Sequence, residues 1–360
     1  MLFARILPLL CRLRSGLLLG LLLEPVLGVG ARPRPHYAIA GNERPVALLH
    51  AGQATYLVTQ QSVFLLEGRQ FVRKSQGPGL IQCAAAVDTV LWLGTQRGVL
   101  ALNTRRFRPR PVAWPGLATT PNVVALFTDA GGALWVGANG LGVFRWAHGA
   151  FIQELNTPSI NAGLATADSS VWIATNIGLS RKKGTQWTRY NEEGVANHEI
   201  PDNIVEKLLP DNAGNLWVVM SEGLCVFEGL DRHVAAEDEL PSVRFLGRPG
   251  NEVYGAAYVR GAGRLFATAM GLLLLPTGPA KRFDDFAPAA DKVEAKPLLV
   301  PLPGPSLSGA APHAPYLVQV DSHERVWLVS TGEITVLTAK QFQAFIHAGQ
   351  RTQRVKSPSS

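Results

Sequence analysis

Gln96, Arg97, Asn139, Asn176 and Glu222 stand beside a glycine at the end of a short apolar run, recurring at intervals of roughly forty residues. Amides, a guanidinium and a carboxylate in such turns suit hydrogen bonding to sugar hydroxyls or to a peptide backbone. Gln60, Gln61, Ser221 and Thr331 hold the matching places in other copies. The residue types that would do covalent or metal chemistry do not cluster. The eight histidines are scattered, with no two at zinc-ligand spacing. No nucleophile elbow, phosphate-binding glycine loop or EF-hand is present. Asp284-Asp285 and the run Glu237–Glu239 are the paired carboxylates, and both read as solvated loop charge. The expectation is a binding protein with no catalytic residues, no metal and no cofactor.

The elements that position these turns are repeats. Thr128–Phe144, TDAGGALWVGANGLGVF, returns as PDNAGNLWVVMSEGLCVF at Pro210–Phe227 and in weaker form five more times. Aligned on an aromatic residue, the anchors are Tyr56, Trp92, Trp135, Trp172, Trp217, Phe266 and Trp327, 36 to 49 residues apart except the last pair, 61 apart. An acidic turn precedes the anchor, as in Asp129–Gly132, Asp211–Gly214 and Asp321–Glu324, with shorter versions at Asp88 and Asp168. Strands of four or five residues rich in Val, Leu, Ile and aromatics lie between. That pattern predicts an all-β fold, a single seven-bladed β-propeller of four-stranded antiparallel blades, with the anchors in the core.

The repeat Asp-x-x-Gly-x-Leu-Trp, followed by Gly or Ala, Thr, two residues and Gly, resembles the two-component regulator propeller repeat. DNAGNLW (Asp211–Trp217) and DAGGALW (Asp129–Trp135) carry its first half, and LWLGTQRGV (Leu91–Val99) and VWIATNIGL (Val171–Leu179) its second. The Asn before a Val that opens the repeat is matched at Asn122 and Asn203. The likeness covers roughly residues 47 to 348 and is strongest in blades two to five. It implies a periplasmic sensor-type propeller, of the kind carried by bacterial hybrid histidine kinases that often respond to glycans. These 360 residues hold one propeller and no kinase, so signalling would run through a separate membrane partner.

Residues 1–31 read as a signal peptide: Arg5, Arg12 and Arg14 precede the apolar Leu17–Leu23, and Gly28–Ala31 supplies small residues for cleavage. Glu24 and Pro25 interrupt the stretch that an uncleaved anchor would need. Residues 32–46 form a lead-in whose Tyr37–Ala40 is a candidate closing strand. The propeller is expected over 47–350, with a Pro-rich insertion at 276–315 between blades six and seven and a disordered basic tail at 351–360. Blade seven supplies four candidate strands of its own, the last at Phe342–Ile346, which leaves the means of ring closure open.

The net charge of +7 would ordinarily raise nucleic-acid binding. Export argues against that partner. The one dense cluster, Arg105-Arg106-Phe107-Arg108-Pro109-Arg110, reads as an edge strand protected by charge and proline. Cys83 and Cys225 lie two blades apart and read as small buried apolar residues rather than a disulfide. Trp114 and Trp146 fall off the anchor pattern, as outer-strand packing or a sugar-stacking surface. The functional expectation is an exported, periplasmic or secreted sensor-type propeller that recognises a ligand, carbohydrate among the candidates. It would act through a membrane-bound signalling or envelope protein. An interaction scaffold in an envelope or secretion assembly is the alternative, and a polysaccharide-active enzyme ranks third.

Overall fold

A computed structural model describes residues 36–114, 120–192, 200–221, 223–230, 243–245, 252–269, 271–276, 298–300 and 315–346. Leader 1–31, tail 351–360, Glu222, Glu237–Glu239, Asp284-Asp285 and most of the 276–315 insertion lie outside these residues. Seven four-stranded antiparallel sheets follow one another. This is the seven-bladed β-propeller that the repeat predicts.

Blade three shows the unit: Val123–Thr128 innermost, then Leu134–Ala138, Gly142–Ala147 and Ala150–Leu155, each paired to the one before. The inner strands of the other blades are Pro45–Ala51, Ile81–Val87, Ala162–Ala165, Val205–Pro210, Val253–Val259 and Leu317–Val320. Every second strand is buried along most of its length, as the continuous apolar runs require. The threonine of the repeat closes the turn that follows: Thr95, Thr175 and Thr268 each donate a hydroxyl to the carbonyl of the glycine three residues on, at 2.9, 2.7 and 2.8 Å. That glycine is obligatory in two blades. Gly142 and Gly178 have φ of +112° and +118°, and a Cβ on either would meet the carbonyl oxygen of Leu155 or Tyr190 at 2.3 Å.

The protein has seven small cores, one between each pair of neighbouring blades. Tyr56, Trp92, Trp135, Trp172, Trp217 and Trp327 each fill the interface with the following blade. Blade six departs from the expected register. Its Thr268 pairs with Val253 as Thr95 pairs with Ile81, so the anchor position, three residues earlier, is Leu265 and not Phe266. A shift of one residue reverses the face of a strand. Phe266 therefore turns back against Trp217 of blade five, ring centroids 4.9 Å apart and near perpendicular. The interface between blades six and seven holds Leu265 and is filled from elsewhere: residues 339–346 are a helix, and its Phe342, Phe345 and Ile346 pack there. The Phe342–Ile346 strand of the sequence reading is thus replaced by a helix. Thr338 and Gln341 cap it reciprocally, Gln341 N–H to Thr338 Oγ1 at 3.2 Å and Thr338 N–H to Gln341 Oε1 at 2.9 Å.

The fourth strand of blade seven comes from the other end of the chain. His36–Ala38 pairs antiparallel with Glu333–Thr338, Tyr37 opposite Ile334. Tyr37 stacks on Trp327 and meets Phe71 of blade one edge-on. Glu43, farther along the lead-in, accepts from Ser62 Oγ and Arg73 and from Thr59, all of blade one. The lead-in thus clasps blade seven to blade one.

The insertion is also placed differently from expectation. Leu298–Val300 pairs with Gly271–Pro276 as the outer strand of blade six, so the long segment interrupts that blade rather than following it. In blade two the outer strand is Pro109–Pro111. Val112 N–H bonds inward to Val99, and by the alternation of a strand positions 109 and 111 point outward, where proline offers no donor. Arg105, Arg106, Arg108 and Arg110 flank it, all exposed.

Candidate functional site

Gln96 and Arg97 occupy the turn between the second and third strands of blade two, Asn139 that of blade three and Asn176 that of blade four. All four are exposed on the same face of the ring, yet none hydrogen-bonds another among the described residues. Asn139 Oδ1 accepts the Ile160 N–H at 3.4 Å, and Asn176 Oδ1 accepts from Asn161 Nδ2 at 2.7 Å. Asn139 is thus committed to the lead-in of the next blade, and Asn176 to the start of the inner strand of its own. Arg97 bonds through its backbone, its N–H donating to Thr95 Oγ1 at 3.0 Å. Glu222 lies outside the described residues.

The same face gathers a different set of residues at the axis. In five blades the inner strand slips register by one residue near its start, between Pro45 and Ala47, Ile81 and Cys83, Val123 and Ala125, Val205 and Lys207, and Val253 and Gly255. Such a bulge leaves one residue unpaired and re-aims its side chain. The bulged residues are Val46, Gln82, Val124, Glu206 and Tyr254; Asn161 and Tyr316 hold the equivalent place in blades four and seven.

On one side of this ring sit cations and aromatic faces. The rings of Tyr254 and Tyr316, from adjacent blades, are 5.1 Å apart and tilted by 43°. The Arg44 guanidinium stands 4.8 Å from the Tyr316 centroid and 5.7 Å from that of Tyr254. Lys207 Nζ is 5.1 Å from the Tyr254 centroid and bonds Glu252 Oε1 at 2.8 Å and the Val253 carbonyl at 3.0 Å. Blades five, six and seven and the lead-in to blade one all contribute. The hydrogen bond from Lys207 holds the Glu252 carboxyl below its usual range against the opposing effect of burial. Burial, then the Glu252 charge, pushes the Tyr254 phenol up.

On the other side are amides. Gln82 Nε2 donates to Asn122 Oδ1 at 2.6 Å and to the Val123 carbonyl at 3.1 Å. Asn161 Nδ2 donates to the Val205 carbonyl at 2.8 Å. These bonds lace successive inner strands together. A surface of this make-up can stack a ring face, hydrogen-bond hydroxyls and hold an anion. Sequence reading missed it because its members are scattered from residue 44 to 316 and meet only when the ring closes. Part of the signal was present in the register: Asn122, already matched to the repeat's opening, lies two residues before the bulged Val124.

Away from this face, a cavity of about 460 Å³ opens between blades three and four beside Asp129, Trp135, Arg145, Glu154 and Lys182. Glu154 takes up both cations, Arg145 at 2.8 Å and Lys182, which also lies 5.3 Å from the Trp135 centroid. Burial would raise the Glu154 carboxyl, but those two hydrogen bonds outweigh it and lower it. The charges there answer one another. Trp114 and Trp146 are packed: Trp114 stacks on Phe151 at 4.0 Å, and Trp146 meets Phe151 and Trp92. Among the described residues no group of three His, Cys, Asp or Glu is placed to hold a metal ion.

No family model and no curated protein matches the chain. Solved structures do. The extracellular domain of the hybrid two-component system BT4673 from B. thetaiotaomicron superposes with a TM-score of 0.60 at 15% identity, over 84% of this chain and 40% of that one. This chain thus spans about two fifths of that domain's length. PorZ, a surface component of the type-IX secretion system of Porphyromonas gingivalis, gives 0.55 at 12% identity, over 82% of this chain and 46% of that one. Virginiamycin B lyase from Staphylococcus aureus gives 0.56 at 10% identity, over 84% and 98%. The shared feature is the fold. It is the propeller of extracellular sensor domains, and it also serves an enzyme. Among the described residues no helix is long and apolar enough to cross a membrane.

Proposed function

We propose that this propeller is an extracytoplasmic recognition module of the sensor type, binding its ligand at the axial mouth where Arg44, Tyr254, Tyr316 and Lys207 converge. One observation carries the reading. Four successive parts of the ring contribute cations and ring faces to a single spot, and the bulge that aims Tyr254 there recurs around the ring. The apolar leader of residues 1–31 and the likeness to extracellular sensor domains support export and a sensing role. In this reading a membrane-associated protein reads the bound state, and the ligand class that the amides and ring faces suit is carbohydrate.

A thermal-shift screen of oligosaccharides and short peptides tests this, run in parallel on the native chain and on Tyr316→Ala. A ligand at 100 times its dissociation constant stabilises by about 2.7 kcal/mol. The expected result is a hit whose shift disappears in Tyr316→Ala. A hit that Tyr316→Ala leaves unchanged moves the site away from the mouth.

A scaffold role is the second reading, favoured by the edge of blade two. Arg105, Arg106, Arg108 and Arg110 are exposed there, and no ion pair engages them among the described residues. Crosslinking from Arg108→Cys to an envelope protein, with no ligand found for the mouth, would favour it.

A further inference from the structure

The cations of the mouth are not equivalent. Lys207 has Glu252 at 2.8 Å, and Arg73 nearby in the clasp has Glu43 at 3.3 Å. Arg44 is exposed and forms no salt bridge among the described residues; its guanidinium lies over the faces of Tyr316 and Tyr254, and its charge also reaches Glu252, which Lys207 already holds. A guanidinium spread on aromatic rings keeps its outer N–H edge free for a bidentate oxygen acceptor. The amide side of the ring is also half committed. Gln82 Nε2 donates to Asn122 Oδ1 and to the Val123 carbonyl, which leaves Gln82 Oε1 as an acceptor and Asn122 Nδ2 as a donor. An acceptor and a donor side by side match a hydroxyl, which is both. Sugar rings present C–H faces to aromatic rings and hydroxyls at their rims, whereas an acidic peptide would offer backbone amides that need a strand edge.

We propose that the mouth takes an acidic oligosaccharide, a uronic-acid polymer, whose carboxylate sits on Arg44 and whose ring faces lie on Tyr254 and Tyr316. This rests on the recognition reading of the same site and goes further by fixing the charge of the ligand. Glu206, exposed at the blade-five position of the ring, and Glu252, held by Lys207 beside Tyr254, are the acidic groups that a polyanion must avoid, and they orient its carboxylate toward Arg44 and blades seven and one.

Calorimetric titration of the full chain with tetragalacturonate, with its methyl ester and with a tetraglutamate peptide tests the proposal. The expected result is that tetragalacturonate binds and the ester binds about tenfold more weakly, the loss of one charge-assisted contact. Arg44→Gln should lose the same factor for the acid and nothing for the ester, with an unchanged melting temperature. Acid and ester binding equally well, both abolished by Tyr316→Ala, would overturn the acidic ligand while leaving recognition at the mouth intact. Tetraglutamate binding more tightly than tetragalacturonate would replace the sugar with a peptide. No heat from any of the three would overturn the proposal outright.

Discussion

The Asp211 carboxylate accepts the indole N–H of Trp217 at 2.9 Å, while its other oxygen takes the backbone N–H groups of Ala213 and Asn215 at 2.9 and 3.0 Å. Asp129 and Asp321 bind Trp135 and Trp327 in the same way, at 2.8 and 2.9 Å. One side chain thus shapes the turn and orients the ring that fills the interface. Asp211→Ala should cost about 1–3 kcal/mol, because buried donors lose their acceptor. Trp217→Ala should cost about 3–5 kcal/mol. Urea unfolding followed by circular dichroism measures both.

Blade four uses a charge where its neighbours use the turn alone. Asp168 and Arg181 are buried, 5% and 8% exposed, and joined at 3.1 Å. Burial would raise the Asp168 carboxyl, but hydrogen bonds from Thr166, Ser170 and Lys183 prevail and hold it at about 2. A carboxyl depressed in the folded state contributes stability that is complete above its ordinary value near 3.8 and is lost as pH falls through 2. Asp168→Asn should therefore cost about 3–5 kcal/mol near neutral pH, since Arg181 is left unpaired. The gap from the native chain should narrow between pH 4 and pH 2. A gap of constant size across that range would mean that Asp168 is not the titrating group.

Gly94 is small because Cys83 is large. A Cβ at Gly94 would stand 2.4 Å from Cys83 Sγ and 2.7 Å from Val123 Cγ1. Gly94→Ala should destabilise by about 1–3 kcal/mol through overpacking. Cys83→Ala in the same chain should recover part of that loss, an interaction that a double-mutant cycle reads directly. Equal losses with either residue at position 83 would place the strain on Val123 alone.

The two ends of the chain stabilise different interfaces. Phe342→Ala should cost about 3–5 kcal/mol, as it empties the contact between blades six and seven. Ile39→Ala, in the interface between blades seven and one, should cost about 2–5 kcal/mol. Hydrogen exchange should show each loss first at its own interface, with the amides of blades three and four still protected.

The repeat made the fold legible because the blades share parts of one unit: a carboxylate bound to the indole in blades three, five and seven, a threonine-closed hairpin in blades two, four and six, and a ring at the anchor in all but blade six. Departures from that unit were where reading failed. In blade four Asp168 holds its turn as expected, accepting the Ser170 N–H at 3.2 Å, but it is Thr166 that meets the Trp172 indole, at 3.0 Å, and Thr166 donates in turn to Asp168. In blade six an adjacent aromatic, Phe266, outweighed Leu265, which has the right register and no ring. At the C-terminus the apolar spacing of Phe342, Phe345 and Ile346 is helical, three and four residues apart, and Thr338 with Gln341 is a capping pair. The candidate site was less legible still. Gln96, Arg97, Asn139 and Asn176 were located on the right turns, but no local pattern joins Arg44 to Tyr316.

His36–Ala38 is among the first of the described residues to be synthesised, and its partner strand, Glu333–Thr338, among the last. The ribosome must deliver nearly the whole chain before that pairing can form. Six blades can assemble from neighbours as they emerge, while the seventh waits on a contact almost three hundred residues long. Closure is thus the step that contact order makes slow, and a chain stalled before Glu333 would present a ring with two bare edges. A cell would meet that species as a substrate for its chaperones and proteases.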